Sequence, residues 1–467
     1  MADQAVVAVI RASSLWSGGA TPKMYSNCDL VIENGVVAAI EDNYRGRVDH
    51  EIDGGGCLVV PGLVNCHTHA GCTPHARGVS EDLTMLDEGA FYHSLIPLLG
   101  LGYSELSNEE FAAVMEWDLI AMLLGGATMV VEENFGGADI WMDLVERLGL
   151  RSNLGLTYPG NVGSIGYVKE GKIVIDDPGD VEAGMQAGLK LHDEHHGAFN
   201  DRLRIHLSPH APDTVPEEVL RETKKQIQER GITAHLHLAQ HLSENRTIAE
   251  KHGNKTSVQY LDDIGFLGPD ILATHVSYVT ENDMDIIARS KTNVIHASYR
   301  KAKEGLNSPY WQFIERGANV AIATDSFSHD LIEDLRLGAL LGKISQGKVG
   351  TPRAEDLISS ATRGAAIALE RDDLGHLNPG ARGDAIVVDI STPFNSPVFD
   401  PLRALVYYST GANVRHSVVD GIPVVRDHKV VGSDMAAVRK KAEAACRRIW
   451  ELAAEQGALP EGVTYSG

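Results

Sequence analysis

The sequence predicts an α/β chain, a (β/α)8 barrel carrying a small β-sandwich domain built from both chain ends. Three observations carry that expectation. From Pro61 onward, short apolar stretches alternate with amphipathic helical ones, as parallel strands and their crossover helices do. The alternation repeats eight times, and eight such units favour a closed barrel. The residues before and after it are β-textured without crossover helices, and two such pieces most economically make one domain that joins the termini. An open doubly wound sheet is the competing arrangement. It usually carries a Gly-rich phosphate turn after its first strand, and none is present here.

Taken in order, residues 6–10, 28–33, 36–41 and 51–60 carry strand signals, separated by Asn34-Gly35 and by Asp53-Gly54-Gly55-Gly56. Barrel strands are expected at residues 63–69, 128–132, 152–157, 203–208, 232–238, 271–275, 292–296 and 319–324. Helices are expected at 109–124, 140–148, 181–195, 216–230, 258–264, 280–289, 309–316, 332–342 and 354–369. The helix at 216–230 shows its ends clearly: Thr214 is a candidate cap, acids fill the first turn and Gly231 stops it. After Gly380 the strands return at 384–390, 414–419, 422–426 and 429–431, with Asp420-Gly421 as a tight turn, and residues 433–454 form a closing helix. The expected domains are 1–60 and 377–467 for the sandwich and 61–376 for the barrel.

A chain of 467 residues, 43% hydrophobic and 22% charged, buries a full core. Its net charge of −23 argues against nucleic acid and anionic membranes as partners. Five cysteines without C-x-x-C spacing argue against a disulfide framework and point to the cytoplasm. No basic start with an apolar stretch and cleavage site opens the chain, so no signal peptide is expected. The apolar run at 119–131 is too short to span a bilayer. The stretch at 91–101 reads as a lid or a subunit interface, and a homo-oligomer is expected.

The chemistry begins at V-V-P-G-L-V-N-C-H-T-H, residues 59–69. Residues i and i+2 of a strand share a face, so His67 and His69 project together, about 6–7 Å apart along the chain. Cys66 would then face the other way, as a small packing residue. Other candidate groups fall at the expected strand ends: Glu132, Glu133 and Asn134; Tyr158 and Asn161; His210; His237, Gln240 and His241; His275; His296; and Asp325. Three imidazoles and a carboxylate (His67, His69, His237, Asp325) suit one divalent ion, Zn, Co, Mn or Fe, with a position left for water. Asp325 could both ligate and accept a proton, while His275 and His210 could orient substrate or stabilise an oxyanion. His235 shares a face with His237 and reads as its hydrogen-bonding neighbour. His296 reads as a buried core histidine, His206 as barrel filling, and Glu132 or Glu133 as solvated loop acids.

These motifs resemble the amidohydrolase superfamily nearly end to end. The matching segments are P-G-L-V-N-C-H-T-H, Arg77-Gly78, L-S-P-H-A-P (207–212), H-L-H-L-A (235–239), A-T-H-V (273–276), A-T-D-S (323–326), G-D-A-I-V-V-D (383–389) and V-V-D-G-I-P-V (418–424). The similar branch is that of the triazine hydrolases and the cytosine or thiomethyladenosine-type deaminases. The resemblance implies a mononuclear metal on His67, His69, His237 and Asp325, with His275 near its water and His210 at a substrate position. Two departures bear on substrate. Gln240 stands where deaminase-like members carry a proton-shuttling Glu, and an amide cannot exchange a proton. The seventh-strand segment reads H-A-S-Y-R-K-A-K-E-G (296–305), and His329 stands where Asn is common.

The missing Glu favours hydrolysis of a small urea, carbamate or thiocarbamate, as in phenylurea and molinate hydrolases, with metal-bound hydroxide attacking the carbonyl carbon. The alternatives are an aminohydrolase or dechlorinase of an N-heterocycle such as an s-triazine or pterin, and a non-catalytic binding relative. Expected catalytic residues are Asp325, His275, Gln240 and His241, with Glu244 a further proton-shuttle candidate. His210, Asn134, Tyr158, His296, Arg300 and His329 are expected to line the substrate.

Overall fold

The computed structural model describes residues 6–79, 96–159, 167–169, 172–174, 179–459, 463 and 465. The N-terminal strands are β1 (Val7–Trp16), β2 (Met24–Glu33), β3 (Val36–Glu41) and β4 (His50–Pro61). The barrel follows with β5 (Leu63–Thr68), β6 (Ala127–Asn134) and β7 (Arg151–Tyr158). A short hairpin, β8 (Tyr167–Lys169) and β9 (Lys172–Val174), precedes β10 (Leu203–Ile205) and β11 (Ser208–Pro209). Then come β12 (Ala234–Leu238), β13 (Ile271–His275), β14 (Asn293–His296) and β15 (Val320–Ile322). The C-terminal strands are β16 (Ala385–Asp389), β17 (Val414–Val419), β18 (Ile422–Arg426) and β19 (Lys429–Val430).

Barrel strands pair in parallel in chain order, β5 to β6 to β7 to β10 and β11, then β12 to β15. Two seams close the ring. At one, the Leu207 N–H donates to the Thr233 carbonyl at 3.2 Å and the His235 N–H to the Leu207 carbonyl at 2.9 Å. At the other, the Asp325 N–H donates to the His67 carbonyl at 3.1 Å. The expected fourth strand at 203–208 is split into β10 and β11, which pair with β7 on either side of His206 and Leu207.

Both chain ends contribute to the second domain. Its strands form one hydrogen-bonded sheet in the order β19-β18-β17-β16-β4-β1-β2-β3, in which β4 runs parallel to β1 and antiparallel to β16. Arg151, at the start of β7, ties the barrel to this sheet. Its Nε donates to Asp384 Oδ2 at 2.6 Å, and its guanidinium also pairs with Asp420. The pairing keeps a fully buried arginine from being an uncompensated charge.

The closing helix Met435–Glu455 is capped by Asp434 and packs on helix Asn108–Leu124 through Val114, Ala442 and Ala445. The expected 91–101 segment lies partly outside the described residues, and its remainder begins helix Ile96–Glu105. All five cysteines are free, and Cys66 is buried in an apolar cluster with Val131, Leu272 and Ala323. Among the described residues, no helix is long and apolar enough to cross a membrane.

Candidate active site

The ends of β5, β12, β13 and β15 bring His67, His69, His237, His275 and Asp325 together. Ring centroids lie 4.7 Å apart for His67 and His69, 5.0 Å for His67 and His237, 5.4 Å for His69 and His237, and 5.5 Å for His237 and His275. His67 Nε2 is 3.9 Å from Asp325 Oδ1, and His275 Nε2 is 3.7 Å from Asp325 Oδ2. Strained backbone accompanies this convergence: Ala239, His275 and Asp325 have φ of 47°, 78° and 56°. A non-glycine residue held there costs about 1–3 kcal/mol and persists only where its surroundings over-determine it.

Hydrogen bonds fix the tautomers that a metal needs. His69 Nδ1 donates to the Glu133 carbonyl at 2.8 Å and His237 Nδ1 to the His210 carbonyl at 3.0 Å. A carbonyl only accepts, so both Nδ1 atoms carry the proton and both Nε2 lone pairs are left for an ion. Neither ring nitrogen of His67 has a hydrogen-bond partner, although the side chain is fully buried. Burial holds His67, His69 and His237 below the ordinary histidine range, His237 at about 3, so all three are neutral donors. Burial pushes the Asp325 carboxyl up, but Arg300 foremost among its neighbours pulls it down below the usual carboxylate range. Two overlapping groups place their ligand atoms within reach of one ion, His67, His69 and His237 with Glu133, and His67 and His275 with Asp325, and neutral imidazoles beside an ionised carboxylate fit one divalent metal ion.

Other residues support this cluster. The Ser326 N–H donates to Asp325 Oδ1 at 2.7 Å. Asn65 Nδ2 donates to Thr324 Oγ1 at 2.8 Å and its Oδ1 accepts the Thr324 N–H at 3.0 Å, which fixes the end of β15 against β5. His210 places its ring 4.9 Å from that of His237, with its Nδ1 on Thr214 Oγ1 at 2.9 Å. Gln240 and His241 are buried just beyond β12. The Gln240 N–H donates to Glu244 Oε2 at 3.0 Å, its carbonyl accepts Lys301 Nζ at 3.3 Å, and burial keeps His241 neutral. Glu244 also accepts the Ala239 N–H at 2.7 Å, so its carboxyl holds the turn after β12. Arg300 Nε lies 3.3 Å from Asp325 Oδ2, inside the site.

Three of the expected substrate contacts, Tyr158, Asn134 and His329, have their polar atoms engaged elsewhere. Tyr158 is buried in the core and its hydroxyl bonds Thr223 Oγ1 at 2.8 Å, on helix Glu217–Arg230. Asn134 donates to Glu132 Oε1 at 3.2 Å and accepts the Gly136 N–H at 3.0 Å, which shapes the turn after β6. His329 bonds Thr324 Oγ1 through Nδ1 at 3.0 Å and Thr73 Oγ1 through Nε2 at 2.6 Å, with Asp118 at 2.7 Å from the same nitrogen. Both its nitrogens thus join structural elements behind the cluster. His296 stacks on Tyr310 with centroids 4.4 Å apart at 15°, but both its buried ring nitrogens lack a hydrogen-bond partner, so it is not the satisfied core histidine expected. Asn161 lies outside the described residues.

Glu132 and Glu133 are buried, because β6 runs two residues further than expected and carries them into the interior. Glu132 accepts the Ala70 N–H at 3.0 Å, and burial pushes its carboxyl up to about 8. Glu133 reaches His235 Nδ1 at 3.3 Å and His237 Nδ1 at 3.5 Å, and one of its oxygens lies within 4.8 Å of ligand atoms of His67, His69 and His237. His235 also bonds Thr274 Oγ1 at 2.5 Å. Sequence reasoning missed Lys301 and Glu304 as well. The run R-K-A-K-E is their only signal, and only the fold shows that Arg300 and Lys301 within it are buried.

Fold and site together define a metal-dependent hydrolase on a (β/α)8 barrel. The chain belongs to the amidohydrolase family, whose model matches residues 58–424. It is 32% identical to a 5'-deoxyadenosine deaminase from Methanosarcina acetivorans over 91% of this chain and 94% of that protein. It is 31% identical to a 5-methylthioadenosine/S-adenosylhomocysteine deaminase from Halobacterium salinarum, over 92% and 95%. Its fold is shared with a zinc-bound adenosine deaminase from Xanthomonas campestris, with TM-score 0.82, 22% identity and 94% and 98% of the two chains covered. A zinc-complexed atrazine chlorohydrolase from Arthrobacter aurescens gives TM-score 0.79 and 21% identity, with 94% and 99% covered. The sequence relatives are deaminases rather than the phenylurea and molinate hydrolases expected above, and they favour the aminohydrolase alternative over carbonyl hydrolysis of ureas or carbamates.

Proposed function

We propose that this protein is an aminohydrolase: it replaces the exocyclic amine of an N-heterocycle by oxygen and releases ammonia. One observation carries the reading. Asp325 faces His67 on one oxygen and His275 on the other, inside a cage of neutral imidazoles. Deaminase names among relatives that span nearly the whole chain support it.

His67, His69 and His237 would hold the ion through their free nitrogens, with Asp325 as the fourth donor. The chemistry such an ion would supply there is acidification of a water, from a pKa of about 16 to about 7, and so a nucleophile near neutral pH. Asp325 accepts the proton that the attacking water gives up. His275, with its Nε2 beside Asp325 Oδ2, orients that water and steadies the charge on the acceptor. The departing amine then takes a proton from Asp325 and leaves as ammonia. Water supplies both hydrogens and oxygen, so no further reactant is needed. Gln240 donates nothing in this scheme, and its amide is left to position the ring. His210 lies on the far side of His237 and suits contact with the heterocycle.

The test is ammonia release from the zinc-loaded enzyme with 5'-deoxyadenosine, 5-methylthioadenosine, amino-s-triazines and pterins, beside phenylureas and thiocarbamates. Ammonia from any of the amino-heterocycles supports the reading. Cleavage confined to ureas or thiocarbamates overturns it.

A further inference from the structure

Helix Ser298–Lys303, directly after β14, carries two adjacent buried cations into the site. The side chains of Arg300 and Lys301 are 3% and 1% exposed. Lys301 Nζ spends two of its three N–H donors, on the Gln240 carbonyl at 3.3 Å and on Glu304 Oε2 at 3.3 Å. Arg300 turns Nε toward Asp325 Oδ2 at 3.3 Å and pairs its terminal nitrogen with the same Glu304. Glu304 is thus shared between two cations. Burial pushes its carboxyl up, but Arg300 and Lys301 bring it down to about 2.

Without an ion, the two cations and the carboxylates of Asp325 and Glu304 balance. A divalent ion claims Asp325 and adds two charges. Counted over these groups, and with water rather than hydroxide on the ion, cations then exceed anions whether Glu133 is ionised or not. Uncompensated charge is costly in a buried site, where the field is weakly screened. A ligand that brings its own negative charge removes that cost.

We propose that the heterocycle this site takes is an anion, carrying an ionised acidic group that the field of Arg300 and Lys301 holds. The inference rests on the aminohydrolase reading and narrows its substrate to acidic rings. Two sources of that charge fit: an ionised ring imide or oxo group, or a carboxylate on the ring.

The experiment is calorimetric titration of the zinc-loaded protein at pH 8 with three matched triazine or pyrimidine ligands that lack the leaving amine. One has an imide ionised at that pH, one is its N-methylated neutral isostere, and one is the neutral ring bearing a carboxylate. The ionised imide, the carboxylate or both should bind at least about tenfold more tightly than the neutral isostere, and which of them does so identifies the source. In Lys301→Met that preference should fall about tenfold or more, in line with loss of a buried charge partner. A neutral isostere that binds as well as both anions overturns the inference, as does a preference unchanged in Lys301→Met. If that variant does not fold, the wild-type comparison decides alone. Anion preference without ammonia release from any amine would sink the aminohydrolase reading and leave this one standing. Ammonia release with tighter binding of neutral rings would do the reverse.

Discussion

His275 Nε2 lies 3.7 Å from Oδ2 of Asp325, on the opposite carboxylate oxygen from the one that faces His67. One carboxylate thus serves a ligand cage on one side and a proton-handling partner on the other. Asp325→Asn should lower kcat by at least about 10³-fold, and His275→Asn by about 10²-fold, within the range for positioned acid–base groups. Stopped-time ammonia assays on metal-saturated variants check both. An unaltered kcat in His275→Asn would remove that residue from proton handling.

Glu133 lies 3.3 Å from His235 Nδ1 and 3.5 Å from His237 Nδ1. A carboxyl this close to a ligand histidine tunes the affinity for the ion without a hydrogen bond to the ring, since the His237 Nδ1 proton goes to the His210 carbonyl. Glu133→Gln should weaken zinc binding about 10- to 100-fold, read by competition with a chelator, while the fold persists by circular dichroism.

Tyr158 and Thr223 share a hydrogen bond away from the metal cluster. Tyr158→Phe should therefore leave KM unchanged and cost about 1 kcal/mol of stability in urea unfolding. A raised KM with unchanged stability would place the hydroxyl at the substrate after all.

Acid should destabilise the metal-free protein. Burial lowers the pKa of His67, His69, His206, His210, His235, His237, His275 and His296. Each is neutral when folded and binds a proton near pH 6.5 when unfolded, so its contribution is full above pH 6.5 and is lost as pH falls toward the folded value, about 3 for His206 and His237. Glu132 acts oppositely: its carboxyl lies at about 8, so its contribution is present below pH 4.5 and is lost as pH rises through 8. Other buried carboxyls, such as Glu133, Glu244 and Asp334, are raised likewise, but with His75, His196, His241 and His416 the lowered imidazoles outnumber the raised acids, so Tm of the metal-free protein should fall between pH 6.5 and 4.5. A Tm that rises across that window contradicts the burial of these imidazoles.

How far the chain could be read in advance follows from what each residue depends on. Strand periodicity and turn residues are local, so the alternating barrel was legible, and residues 271–275 match β13 end to end. His67 and His69 needed only the two-residue repeat of a strand to be placed side by side. Glu133 was misread because β6 was ended at Glu132. Continuing its alternation from Met129 and Val131, which pack with Leu272 and Ala321, would have turned Glu133 inward. Tyr158 and His329 are different, because their partners Thr223, Thr73 and Asp118 are remote in sequence. Strand-end position predicts a side chain near the rim, and only tertiary packing decides what its polar atom meets. The burial of Arg300 and Lys301 is equally non-local, since charged residues in a row ordinarily mark a solvated surface.

The claim beneath all of this is that His67, His69, His237 and Asp325 hold one ion. Anomalous diffraction from a crystal of the zinc-loaded protein at the zinc edge tests it directly. One peak is predicted, about 2 Å from a nitrogen of each of the three imidazoles and from a carboxylate oxygen of Asp325. A peak coordinated by Glu133 in place of Asp325, or no peak among these residues, would contradict it.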